Sequence, residues 1–115
     1  MAFWSKRETH FKILDNTEEL SRLFESSNEQ PVIIFKHSNM CNISADAYKE
    51  MEDFEGEVNL VVVQTARPVS NEIEARTGIE HQSPQVLILR NGKPVWHASH
   101  WKITKKAVTQ ALQDA

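Results

Sequence analysis

The sequence predicts an α/β fold: a central mixed four-stranded sheet with helices on both faces. Three observations carry this. Val32-Ile33-Ile34-Phe35, Leu60-Val61-Val62-Val63 and Val86-Leu87-Ile88-Leu89 are apolar on both faces, as strands inside a sheet must be. Stretches with helical spacing separate them. Asn91-Gly92 then signals a tight hairpin into a last strand.

The elements follow in order. Asn16 with Glu19 three residues on reads as a helix start, followed by Leu20, Leu23 and Phe24 at helical spacing and ended by Ser26, Ser27 and Asn28. Pro31 opens the first strand. A polar break, His37-Ser38-Asn39-Met40, leads to a helix beginning near Cys41, carrying Ile43, Ala47, Tyr48 and Met51 and closed by Gly56. After the second strand Pro68 starts a helix containing Ile73, with acids near its beginning and Arg76 in its last turn. Gly78 stands where a left-handed cap is needed. Ser83-Pro84 precedes the third strand, and Val95-Trp96-His97-Ala98 returns from the hairpin. Thr104 caps a final helix through Ala107, Val108, Ala111 and Leu112. A helical crossover makes the first two strands parallel, and the hairpin is antiparallel. This α-β-α-β-α-β-β-α order is the thioredoxin-like arrangement.

The 115 residues suit one domain, spanning 1–115, large enough to bury a core without disulfides or a structural metal. With 40% hydrophobic and 25% charged residues, the profile is that of a folded protein. A net charge of -3 offers no basic field for phosphate backbones, so nucleic acid is not an expected partner. No apolar run approaches the roughly 20 residues that span a bilayer. The opening residues, Met1 to Glu8, lack the apolar core of a signal peptide. The expected location is cytoplasmic, without a membrane partner. A lone cysteine fits a reducing compartment and excludes zinc ligation by cysteine pairs.

That cysteine, Cys41, carries the chemistry. It stands between a buried strand and a helix, where unpaired N–H groups and the positive end of the helix dipole stabilise a thiolate. Lys36 and His37 add positive charge from the strand side, and Asp46 works weakly against them. The expectation is a depressed thiol pKa. A buried structural cysteine is the other reading, but Asn39 and Asn42 flank this one at an element boundary, not an apolar stripe. Ser83-Pro84 is the second feature. A cis bond there would fix a tight turn whose neighbouring backbone could receive an extended substrate, whereas a trans proline would merely start the strand. The residues leave both open. Ser44 stands where a dithiol enzyme holds its second cysteine, and its hydroxyl suits a local backbone N–H better than nucleophilic attack. His81, His97 and His100 lack the spacing of metal ligands, and no metal is expected.

The segment from Phe35 to Ser44, Phe-Lys-His-Ser-Asn-Met-Cys-Asn-Ile-Ser, resembles the active-site segment of the YtxJ-type monothiol bacilliredoxins. Residues 64–71, 81–86 and 96–104 are similar too, so the resemblance runs from about Leu14 to the last helix. It implies a thioredoxin-like fold and thiol–disulfide exchange that takes bacillithiol off S-bacillithiolated proteins, with bacillithiol as co-substrate and no tightly bound cofactor. Carried over, Cys41 is the nucleophile, Pro84 the cis-proline of the groove and Ser83 a source of backbone contacts. His37, Asn42 and Ser44, close to the thiol in sequence, are further candidates for substrate contact. Asn42 departs from the pattern, because the family usually has proline directly after the cysteine. Asparagine restores an N–H near the sulfur but loosens the first turn, two effects of opposite sign on the thiolate.

Other classes remain compatible with the residues. The chain could be a binding or adaptor module with an idle cysteine, which inertness of Cys41 toward alkylation would mark. It could hold an iron–sulfur cluster between two subunits, marked by colour and bound iron. It could be a glutaredoxin-like protein using glutathione, marked by co-substrate preference.

Overall fold

The computed structural model describes residues 11–40 and 42–115. Among these residues the sheet has five strands in the order β1-β3-β2-β4-β5, one more than the sequence predicts. The additional strand is β1 (Phe11–Ile13), which pairs in parallel with β3 (Val58–Val62) through Phe11–Val58, Lys12–Asn59 and Ile13–Leu60. Three residues are too few to show an alternating pattern. The strand exists because β3 offers it a free edge.

β2 (Val32–His37) lies at the centre, parallel to β3 and antiparallel to β4 (Gln85–Arg90). β5 (Lys93–Ser99) closes the hairpin, which turns on Asn91 and Gly92 with φ of 56° and 74°, the positive values a type I′ turn requires. Between β4 and β5 the register passes from Ile88–Trp96 to Leu89–Pro94, so Val95 forms a bulge.

Among the described residues four helices cover the sheet. α1 (Thr17–Ser26) starts on Asn16, whose side chain accepts the Glu19 N–H at 2.8 Å. α2 (Asn42–Asp53) follows Cys41 directly in the chain. α3 (Arg67–Thr77) has Pro68 in its first turn and ends on Gly78 at φ 74°. Its first turn holds no acid, contrary to expectation: Glu72 and Glu74 fall in its middle, and Glu72 pairs with Arg76 at 3.4 Å. After a short 3-10 turn (His100–Lys102), Thr104 caps α4 (Lys105–Asp114) by accepting the Ala107 N–H.

Two apolar layers result. Phe35, Ile33, Val86 and Ile88 meet Ala47, Met51, Val108 and Ala111 of α2 and α4 on one face. Ile34, Val32, Leu87 and Leu89 meet Leu20, Val69 and Ile73 of α1 and α3 on the other. Buried Ser27 ties the end of α1 to the hairpin: its carbonyl accepts the Asn91 N–H and its hydroxyl the Gly92 N–H, both at 2.8 Å. Among the described residues no helix is long and apolar enough to cross a membrane. The antiparallel pairing of β2 with β4 sets the end of one beside the start of the other. His37 and Pro84, distant in sequence, are thereby brought to the same end of the sheet.

Candidate active site

Cys41 itself lies outside the described residues, but the turn before it and the helix after it are defined. Ser44, in the first turn of α2, is fully buried. Its Oγ accepts the backbone N–H of Ser38 at 2.9 Å and lies 3.0 Å from His37 Nδ1. A hydroxyl that already accepts one N–H can give its own hydrogen to Nδ1, which suits a neutral imidazole. Burial, the largest influence, pushes the His37 pKa down, opposed by a hydrogen bond to the Ser44 backbone.

The turn is tied from the other side as well. Ser38 Oγ accepts from Gln64 Nε2 at 2.6 Å and from the Met40 N–H at 3.3 Å, while His37 O accepts the Val63 N–H at 2.9 Å. The His37 ring packs 4.8 Å from Tyr48 and 5.8 Å from Phe35, centroid to centroid. His37, Ser38, Asn39, Ala45 and Tyr48 line a pocket of about 280 Å³ beside the turn. Asn42 is exposed at the start of α2, and Met40 is 83% exposed. The residues flanking Cys41 therefore face solvent, while Ser44 and His37 behind them are buried.

The Ser83–Pro84 bond is cis. Pro84 is buried, and its carbonyl accepts the His100 N–H at 3.1 Å, linking the segment to the end of β5. Ser83 is half-buried. Of the candidate residues, the fold brings His37 and Ser44 into direct contact. Asn42 is on the outer side of the same helix start, and Ser83 and Pro84 are on the neighbouring strand connection.

Lys36 does not behave as the sequence suggests. It alternates with His37, so its side chain lies on the α1–α3 face, fully buried, and its pKa falls to about 8 by burial, opposed by Glu74. The signal was present: a lysine continuing the face of Val32 and Ile34 in a strand buried throughout. Ser38, Gln64 and Tyr48 were not singled out, since nothing local marks their part in the site. His81 belongs to another set of contacts, with Ser70 Oγ 3.3 Å from its Nδ1. Among the described residues no group of three or more His, Cys, Asp or Glu could hold a metal ion.

Residues 12–108 match the family described as monothiol bacilliredoxin BrxC. The chain belongs to the monothiol bacilliredoxin family.

Membership ties the chain to the bacillithiol system, and solved structures agree on the fold. One provisionally described as an oxidoreductase with a thioredoxin fold is 28% identical, with a TM-score of 0.83, covering 91% of this chain and 96% of that one. Thioredoxin from Trypanosoma brucei brucei is 16% identical with a TM-score of 0.71, over 90% of this chain and 88% of its own. Fasciola hepatica thioredoxin is 13% identical with a TM-score of 0.70, over 90% and 97%. These last two speak to the fold alone. The bacilliredoxin is a thioredoxin-fold thiol–disulfide oxidoreductase.

Proposed function

We propose that this bacilliredoxin removes bacillithiol from S-bacillithiolated proteins in the cytoplasm, working as one domain through Cys41. The observation that carries the reading is the family match across a chain with one cysteine, set directly before α2. The Cys41 thiolate attacks the bacillithiol sulfur of the mixed disulfide. A Cys41–bacillithiol disulfide forms, the original S–S bond breaks, and the client leaves as its thiolate. The sequence holds no second cysteine, so an external thiol must complete the cycle. A second bacillithiol attacks the adduct, giving bacillithiol disulfide and free Cys41.

The other candidate residues take supporting parts in this reading. Ser44 and His37 fix the turn before the nucleophile, and Asn42 gives a polar edge to the helix start. Ser83 and Pro84 form the groove wall that receives an extended client segment. In this reading the helix N-terminus depresses the Cys41 pKa, with little help from Lys36, whose side chain lies on the other face of the sheet, or from His37, whose charge burial disfavours.

The test is mass spectrometry after mixing reduced protein with a bacillithiol-modified client. One bacillithiol added to Cys41, with the client thiol released, supports the reading. An unmodified Cys41 beside a still-modified client, or release by a Cys41→Ser variant, overturns it.

A further inference from the structure

Among the described residues, Lys36 Nζ, Ser83 Oγ and Gln85 Oε1 are buried side-chain atoms without a hydrogen-bond partner. They belong to one seam of the fold. Lys36 and Gln85 face each other across β2 and β4, so their side chains leave the sheet on the same side, among Ile34, Leu87 and the residues of α1 and α3. Ser83 begins the cis peptide one residue before Gln85's own neighbour, Pro84. Unpaired buried polar groups are costly and rare, and an unpaired ammonium is the costliest of these.

The segment beside them is pinned by polar contacts. Gln85 Nε2 donates to Glu80 O at 3.0 Å, and the His81 N–H donates to the Glu74 carboxylate at 2.8 Å. Ser70 Oγ meets His81 Nδ1. The charged and titratable groups acting on Lys36 and its neighbours come from two elements. α3 supplies Glu74, which favours the ammonium, and Arg67, which acts on His81; the segment supplies His81, whose charged form Lys36 disfavours. Glu74 therefore compensates Lys36 and holds the segment at once.

We propose that Lys36 is a positioning residue: its ammonium, shared through internal water with Ser83 Oγ and Gln85 Oε1 and balanced by Glu74, fixes the segment from Glu80 to Pro84 that walls the substrate groove. An internal water takes about three polar partners, and these side chains provide a donor, an acceptor and a hydroxyl that can be either. Lys36 never touches the client. It acts on how firmly the cis-proline segment is held, and so on docking. The part that concerns docking rests on the function proposed above; the part that concerns the segment does not.

The experiment uses the full chain with Lys36→Met and, from the segment itself, Ser83→Ala, which removes no hydrogen bond seen in the structure. Amide hydrogen exchange is read at residues 80–86, with β5 and α4 as internal reference. Both variants are expected to exchange faster at 80–86 by on the order of tenfold, with no matching acceleration in the reference. Release of bacillithiol from the client should slow by a similar factor, while the pH profile of Cys41 alkylation by iodoacetamide stays in place. Unchanged exchange at 80–86 overturns the proposal, and so does a displaced alkylation profile, which would make Lys36 a charge acting on the thiol. If the parent protein transfers no bacillithiol, the function reading fails, and the exchange data still decide the role of Lys36. If Lys36→Met does not fold, Ser83→Ala carries the same readout.

Discussion

Ser44 Oγ lies 3.0 Å from His37 Nδ1 and joins the first turn of α2 to the last residue of β2. The same oxygen accepts the Ser38 N–H, so one hydroxyl fixes both the ring and the turn leading to the thiol. Ser44→Ala leaves a buried N–H and a ring nitrogen unpaired. The expected loss is about 1–3 kcal/mol of stability, read from denaturant unfolding. An unchanged midpoint would mean that water replaces the hydroxyl without cost.

Acid should weaken the fold through His37. Burial holds its folded pKa below the ordinary 6.5, so the unfolded chain takes up a proton first. The contribution is whole above pH 6.5 and is lost as pH falls through 6.5 toward the folded value. His81 is displaced in the same direction, first by burial and then by Lys36, and adds to the loss. Unfolding midpoints at about pH 7.5 and about pH 5 check this, and His37→Gln should narrow the difference between them.

Lys36 gives the reverse situation at alkaline pH. Its pKa falls from 10.5 unfolded to about 8 folded, burial being the first cause. At neutral pH the folded chain bears the cost of a buried charge, and this group's contribution improves as pH rises from about 8 to 10.5. Lys36→Met should therefore be more stable than the parent at neutral pH, by about 1–3 kcal/mol, with the gap closing in that alkaline window. Global stability and exchange at residues 80–86 are thus expected to move in opposite directions. A less stable variant at neutral pH would refute this assignment of cost.

Ser27→Ala removes the acceptor of the Gly92 N–H. The expected loss is about 1–2 kcal/mol, with faster amide exchange concentrated at the hairpin turn. Loss of stability without a change at Gly92 would point to packing at the end of α1 instead.

Much of the fold was readable because its signals are local. Asn16 with Glu19, Thr104 with Ala107, Gly78, and the pair Asn91 and Gly92 each announce a contact or a backbone angle within a few residues. β1 was not readable, because its pairing partner at Val58–Leu60 is far along the chain and three residues carry no period. The acids of α3 were placed too early because its first turn starts at Arg67, ahead of Pro68. The site divided in the same way. The Ser44 hydroxyl was expected to meet a backbone N–H, and it meets that of Ser38. Its contact with His37 depends on how α2 packs against β2. The isomer of Pro84 depends on tertiary surroundings, and the burial of Lys36 on having α3 above it.

β5 ends the sheet on one side, with a bulge at Val95 and a proline at position 94 that has no N–H to offer. At the opposite border β1 spans three of the described residues. Both borders are poor templates for an incoming strand. In the function proposed above, extended client segments enter at the groove beside Pro84. The borders of the sheet, as described, would then discourage edge-to-edge pairing and leave that groove as the place for it.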